Sequence, residues 1–241
     1  MTKTVVILGV GAADGVGGAL CRRFAQPGHH VLVAGRTQEK VDAVAEAIRA
    51  DGGSAEGVRC DVTSEADQDA LFTRAKEAGP LAAVIYNAGN NGIIPFEQLD
   101  ADTFEAFWRV GCHGGFLTAK RAAPIMAEQG SGSLLFTGAS ASLRGRPNFV
   151  HFAAAKAGLR MLAQALAREY GPQGVHVAHF VIDGIIDGEI VRTRFGEYLE
   201  QLGEDGSLSP DAIAESYWQV HCQPRSAWTQ ELELRPFSEK W

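Results

Sequence analysis

The sequence predicts an α/β fold, a doubly wound parallel sheet of about seven strands with helices on both faces. Three observations predict it. Short β-branched or apolar runs alternate with amphipathic stretches along the whole chain, the pattern of parallel strands joined by crossover helices. The runs are continuously apolar instead of alternating, which buries both faces of each strand. The first run opens directly into a glycine-rich turn and a helix. With 241 residues, 46% of them hydrophobic, the chain has enough apolar surface for one large core, and residues 1–241 are expected to form a single domain.

The strands are expected at Thr4 to Gly9, His30 to Ala34, Ser54 to Cys60, Ala82 to Tyr86, Ser133 to Thr137, Val175 to Ile182 and Glu231 to Leu234. Between the second and third, Val41, Val44, Ala45 and Ile48 recur at helical spacing, with Thr37 as N-cap and Gly52 as stop. Ser64 followed by Asp67 opens the next helix. Two longer helices follow, one ending near Glu128 and one running from about Phe149 to Tyr170. Gly203 to Ser209 reads as a mobile loop before a helix begun by Ser209 and Pro210.

Charge narrows the function classes. A net charge of -7 and a pI near 5.5, with no local run of Lys or Arg, argue against a nucleic-acid partner. The apolar stretch within Met1 to Val10 is too short for a signal peptide, and nowhere do some 18 apolar residues follow one another. A cytoplasmic protein without membrane contact is expected. Cys21, Cys60, Cys112 and Cys222 show neither Cys-x-x-Cys pairing nor a His at metal spacing, so they read as buried free thiols, and no metal site is expected.

The turn after the first strand reads Gly9-Val10-Gly11-Ala12-Ala13-Asp14-Gly15-Val16-Gly17. Bare backbone N–H groups and a helix N-terminus there suit a pyrophosphate, although a tight strand-to-helix turn would need the same glycines. Three further signals follow in register: Ala34-Gly35-Arg36, Cys60-Asp61-Val62-Thr63 and Tyr86-Asn87-Ala88-Gly89. A later Ala-Ala-Ala-Lys run spans Ala153 to Lys156. With these motifs the chain resembles the short-chain dehydrogenase/reductase family over nearly its full length. The resemblance implies a Rossmann-like sheet and a nicotinamide dinucleotide. It places the pyrophosphate on Gly11, Asp14, Gly15, Val16 and Gly17, the adenine beside Asp61 and Val62, and the adenosine ribose along Asn87, Ala88 and Gly89. Lys156 falls on the nicotinamide ribose, and Gly184 and Ile186 on the nicotinamide side. Where an acidic residue would bind the ribose 2′-hydroxyl this chain has Gly35 followed by Arg36, so NADP is favoured over NAD. A solvated loop arginine is the alternative reading of Arg36, because Asp14 stands where some NADP-binding relatives carry a basic residue.

At the reaction centre the pattern departs from the family. The tyrosine that protonates the carbonyl oxygen lies four residues before the lysine, and here that position is Phe152; a spacing of seven gives Phe149. The substrate-orienting serine position is Ala139, with Ser140 adjacent but, on a regular strand, facing the opposite side. The asparagine position of the proton relay is Gly111. The loop after the sixth strand reads Asp183-Gly184-Ile185-Ile186-Asp187 in place of the family's Pro-Gly and Thr, and the aromatic-rich C-terminus through Trp218, Trp228 and Trp241 reads as packing or a subunit contact. His151 and His113 are substitute acids to test, His151 being rotated by about 100° from Phe152 around a helix.

The resulting expectation is an NAD(P)-dependent oxidoreductase with an altered proton relay, moving hydride to or from a small carbonyl or alcohol. Lys156, Ser140 and Phe152 stand at its centre, in a cleft built from the C-terminal loops. The alternative is a catalytically silent NADP-binding protein, a redox sensor or inactive subunit. The small-residue face from Ala153 to Gly158 resembles the family's helix-pairing surface and implies a homodimer or homotetramer.

Overall fold

The computed structural model describes residues 2–239, apart from the Ile190 side chain; Trp241 lies outside the described residues. Seven strands form one sheet in the order β3-β2-β1-β4-β5-β6-β7, every pair parallel. They are β1 Lys3–Leu8, β2 His29–Gly35, β3 Ala55–Arg59, β4 Leu81–Tyr86, β5 Gly132–Thr137, β6 Val175–Ile182 and β7 Glu231–Leu234. The order reverses between β1 and β4, which opens a crevice at the carboxyl ends of those strands.

Two apolar layers sandwich the sheet. On one face α1 (Val16–Phe24), α2 (Gln38–Ala50) and α8 (Pro210–His221) cover Val5, Ile7, Val31 and Val33. On the other, α3 (Glu65–Ala78), α5 (Gly114–Gln129) and α6 (Val150–Tyr170) cover Val6, Leu8, Val84 and Leu134. Successive residues of β1 enter opposite cores, which is why its sequence is apolar without alternation.

Local signals explain most element boundaries. Ser64 and Ser209 each accept a hydrogen bond at their helix starts, from the N–H groups of Asp67 and Ala212. Thr37 occupies the N-cap of α2, but its hydroxyl makes no capping bond. The region before α5 holds a separate helix, α4 (Ala101–Trp108), joined to it by one π-helical turn, Arg109–His113. The buried Tyr86 hydroxyl donates to the Val110 carbonyl inside that turn. The Gly203 to Ser209 loop is tied down at its end: Leu208 is buried, bridges Ile186 and donates to the Ile185 carbonyl at 2.7 Å.

The cysteine expectation is corrected, and the packing reading of Trp218 and Trp228 is the one the structure shows. Cys21 and Cys60 are buried, but Cys112 is half-buried and Cys222 exposed, although all four are free thiols. Trp218 packs edge-on against Phe24 and beneath Arg23, and Trp228 stacks on His176 with the rings 4.7 Å apart, so both pack on the body of the fold. Among the described residues no helix is long and apolar enough to cross a membrane, and no group of His, Cys, Asp or Glu is arranged for a metal.

Candidate active site

Two adjoining cavities open along the carboxyl ends of the strands. The larger, about 680 Å³, is bordered by Gly11, Gly15, Val16, Gly17, Asn87 and Gly89 on the β1 and β4 side. Ser140, Phe152, Lys156, Gly184 and Ile186 border it from the β5, α6 and β6 side. The second, about 550 Å³, is bordered by Gly35, Arg36, Asp61, Val62, Ala88 and, again, Gly11 and Gly89. The structure therefore gathers into one crevice the residues expected to bind the cofactor, except Asp14, whose carboxylate pairs with Arg192 at 3.1 Å, together with Ser140, Phe152 and Lys156; Gly111, His113 and His151 do not border it.

The glycines make the crevice possible. Gly9 has φ +87°, and a Cβ there would stand 2.3 Å from the Ala88 backbone nitrogen, so β1 and β4 meet too closely for any side chain. A Cβ on Gly11 would meet nothing within 4 Å, so its surface is open to a ligand. The first turn of α1 has neither a side-chain cap nor an acidic residue, leaving its N–H groups for an anion.

Lys156 is the buried charge of the site. It is 4% exposed, its Nζ donates to the Thr137 carbonyl at 2.7 Å, and it lies 5.9 Å from the centre of the Phe152 ring. Burial brings its pKa down from the ordinary lysine value to about 8. Behind it runs a polar chain absent from the sequence reading: the Thr137 hydroxyl donates to Asn87 Oδ1 at 3.0 Å and sits 2.8 Å from the Tyr217 hydroxyl. Asn87 Nδ2 donates in turn to the Gly9 carbonyl. Tyr217 and Tyr86 are fully buried, and burial pushes both phenols up.

Around the second cavity, Asp61 accepts from the Thr63 N–H and hydroxyl at 2.9 and 2.8 Å. Burial alone would raise its carboxyl; the two Thr63 bonds, with the Arg36 and Arg59 charges, outweigh it and hold the carboxyl below its usual range.

At the three altered positions the geometry is specific. Strand β5 ends at Thr137, and Ser140 begins a 3-10 turn, so strand alternation does not separate it from Ala139 and both border the larger cavity. Gly111 lies in the π-helical turn, where a Cβ would come within 2.7 Å of the Ala155 Cβ. His151 is fully buried away from the cavity, bonded through Nε2 to the Gly92 carbonyl at 3.1 Å and stacked edge-on with Phe107. His113 stacks between Trp108 and Phe116. Neither histidine faces the crevice, because the helical rotation that brings Phe152 and Lys156 to its wall carries residue 151 off it.

The cavities also have walls that sequence did not mark: Lys40 and Arg194 on the second, and Arg144, Arg146 and Tyr198 on the larger. Lys40 lies in the first turn of α2, four residues after Arg36 in the preceding loop, whereas Arg194 arrives only through the tertiary fold.

A parallel sheet reversing at β1 and β4, with an uncapped helix behind a glycine turn and a buried lysine across the crevice, is a doubly wound α/β fold with a ligand-sized crevice at its switch point. The family model for short chain dehydrogenases matches residues 3–197. An oxidoreductase of Sarocladium schorii, asL5, is 33% identical over 81% of this chain and 76% of its own length. A short-chain dehydrogenase structure from Rhodopseudomonas palustris is 34% identical with a TM-score of 0.83, covering 98% of this chain and 99% of that one. A 7α-hydroxysteroid dehydrogenase complexed with NADH and 7-oxo glycochenodeoxycholic acid is 25% identical, with a TM-score of 0.86 over 98% of this chain and 93% of that one. The chain belongs to the short-chain dehydrogenase family.

Proposed function

We propose that this chain is an NADP(H)-dependent oxidoreductase acting on a small carbonyl or alcohol, with Lys156 in place of a tyrosine as the source of the transferred proton. The observation that carries this reading is the Lys156 ammonium: enclosed at the wall of the larger cavity, it spends one donor on the Thr137 carbonyl and keeps others for a ligand. The crevice fits the cofactor: Gly11 is open, the first turn of α1 is uncapped, and the acidic Asp14 is neutralised by Arg192. Gly11, Gly15, Val16 and Gly17 would hold the pyrophosphate, Asp61 and Val62 the adenine, Asn87 to Gly89 the adenosine ribose, and Lys156 the nicotinamide ribose. Gly184 and Ile186 would flank the nicotinamide, which supplies or accepts hydride when bound.

Arg36, without an ion-pair partner among the described residues, supports the phosphorylated cofactor, and Lys40 adds a second cation to the same wall. Ser140 orients the substrate oxygen from the end of β5, while Phe152 and Phe149 provide an apolar floor. With a pKa of about 8, Lys156 can release and regain a proton near neutral pH, which an ordinary lysine does poorly. The remaining expectations, a cytoplasmic protein assembling as a homodimer or homotetramer, stay part of this proposal.

The silent-binder reading has its own support, since Gly111 and Ala155 leave no room for an asparagine in the relay. Fluorescence titration with NADPH and NADH, then a screen of carbonyls for cofactor oxidation, separates the two. Tighter NADPH binding with turnover is expected, and Arg36→Ala should remove the preference. NADPH binding without turnover of any carbonyl would favour the silent reading, and no binding would refute both.

A further inference from the structure

Helix α7 (Glu189–Leu202) differs from the other long helices in having no buried residue among its described side chains. Phe195 and Tyr198 are 53% and 48% exposed, and the backbone leaves helical geometry at Phe195. A helix with so little apolar anchorage belongs to the low-stability end of a fold and takes its position from polar ties or from a ligand. One tie is visible: Arg192 donates to Asp187 at 2.6 Å and to Asp14 at 3.1 Å, joining the start of α7 to the glycine turn.

This same helix reaches both cavities. Thr193 and Arg194 border the second, where Arg36 and Lys40 lie, while Val191 and Tyr198 border the larger one beside Phe152. Arg192 is spent on its two aspartates, but Arg194 has neither an ion pair nor a side-chain hydrogen bond among the described residues. Three cations, Arg36 from the end of β2, Lys40 from α2 and Arg194 from α7, therefore converge on one cavity. The two carboxylates on its wall are Asp61, engaged with Thr63, and Glu189. That leaves an excess of positive charge suited to a dianion.

Resting on the reading that NADP(H) occupies the crevice, we propose that Arg194 is a ligand of the cofactor's adenosine 2′-phosphate carried on α7. The phosphate then fixes the helix that supplies Val191 and Tyr198 to the substrate cavity. Recognition of the phosphate and completion of the substrate wall become one event: NADP(H) secures α7, and NAD(H), lacking the phosphate, does not.

The test measures affinity and hydrogen exchange over residues 189–202 with NADPH, NADH, 2′,5′-ADP and 5′-AMP, in the parent, Arg194→Gln and Arg194→Lys. NADPH and 2′,5′-ADP should slow exchange in α7, and NADH and 5′-AMP should not. Arg194→Gln should weaken NADPH on the order of 10-fold and abolish the protection while leaving NADH affinity unchanged. Arg194→Lys should restore part of both. Parent-like NADPH affinity and protection in Arg194→Gln would overturn the assignment while the cofactor reading stands. Equal parent affinities for NADPH and NADH would overturn that reading and this inference together.

Discussion

Arg144 donates through Nη2 to both carboxylate oxygens of Asp183, at 2.9 and 3.1 Å, and Asp183 stands where the family's proline would be. The carboxylate is 3% exposed and also lies 3.6 Å from Arg235, so one buried anion joins the loop after β5 to the C-terminal segment. The Asp183 N–H donates to the Leu234 carbonyl, a bond a proline lacks. Removing the charge leaves the Arg144 guanidinium without its anion, while Arg235 keeps its bond to Glu233. Asp183→Asn should cost about 2 kcal/mol, less than a fully enclosed pair because Arg144 is one-third exposed, and should raise KM by loosening the cavity wall. Urea unfolding with steady-state kinetics checks both effects.

The depressed pKa of Lys156 sets a pH profile. If its ammonium is the proton source, carbonyl reduction should fall as pH rises through about 8, and alcohol oxidation should rise over the same interval. The stability sign is the reverse of a salt-bridged lysine. The folded state disfavours the charge, so the penalty is full below pH 8 and is relieved as pH rises from about 8 toward the unfolded lysine value near 10.4. Lys156→Met should therefore stabilise the ligand-free protein at pH 7 by roughly 1 kcal/mol or more while weakening NADPH binding. A thermal melt and a fluorescence titration of the same variant test the two halves.

Phe152→Tyr restores a phenol at the cavity wall beside Lys156. In single-turnover oxidation of NADPH, a gain on the order of 10²-fold is expected if that hydroxyl can join the transfer. A lower rate would mean that the phenylalanine belongs to a mechanism built around the lysine.

Gly111→Asn, by contrast, should fail by itself. Its Cβ would come within 2.7 Å of Ala155, and overpacking of this kind costs about 1–3 kcal/mol. Pairing it with Ala155→Gly should recover most of the lost stability, giving a non-additive double-mutant cycle in denaturant melts.

Acid stability should depend on His179, fully buried beside Glu231 at 3.1 Å. Burial lowers its pKa to about 4, although the Glu231 charge pulls the other way. The unfolded histidine takes up its proton near pH 6.5 and the folded one only near 4, so stability declines between those values, by about 3 kcal/mol at the lower end. His179→Gln should flatten the fall in Tm from pH 6.5 to 4.

The strands and the crevice at their carboxyl ends were legible because both are written in local sequence. Apolar runs such as Val5 to Leu8 can only be buried on two faces, and Gly9 and Gly11 act through the backbone they leave open. Boundaries shifted by a residue or two, as in β3, which begins at Ala55 where Ser54 was expected. Ser140 borders the larger cavity because β5 ends at Thr137, so the opposite-face placement expected of a regular strand does not apply there. Arg194, Arg144 and Tyr217 reach the site by tertiary packing from distant segments, so no spacing could reveal them.

The fit of Gly111 against Ala155 also bears on how this site could change over time. Acquiring an asparagine there means passing through an overpacked protein unless residue 155 changes first, and shrinking residue 155 alone leaves a void in α6. Each single step away from the present pair is unfavourable, although the two together are not. The pair therefore works as a ratchet: a lineage under selection for stability would sooner change other residues of the crevice than place an asparagine at position 111.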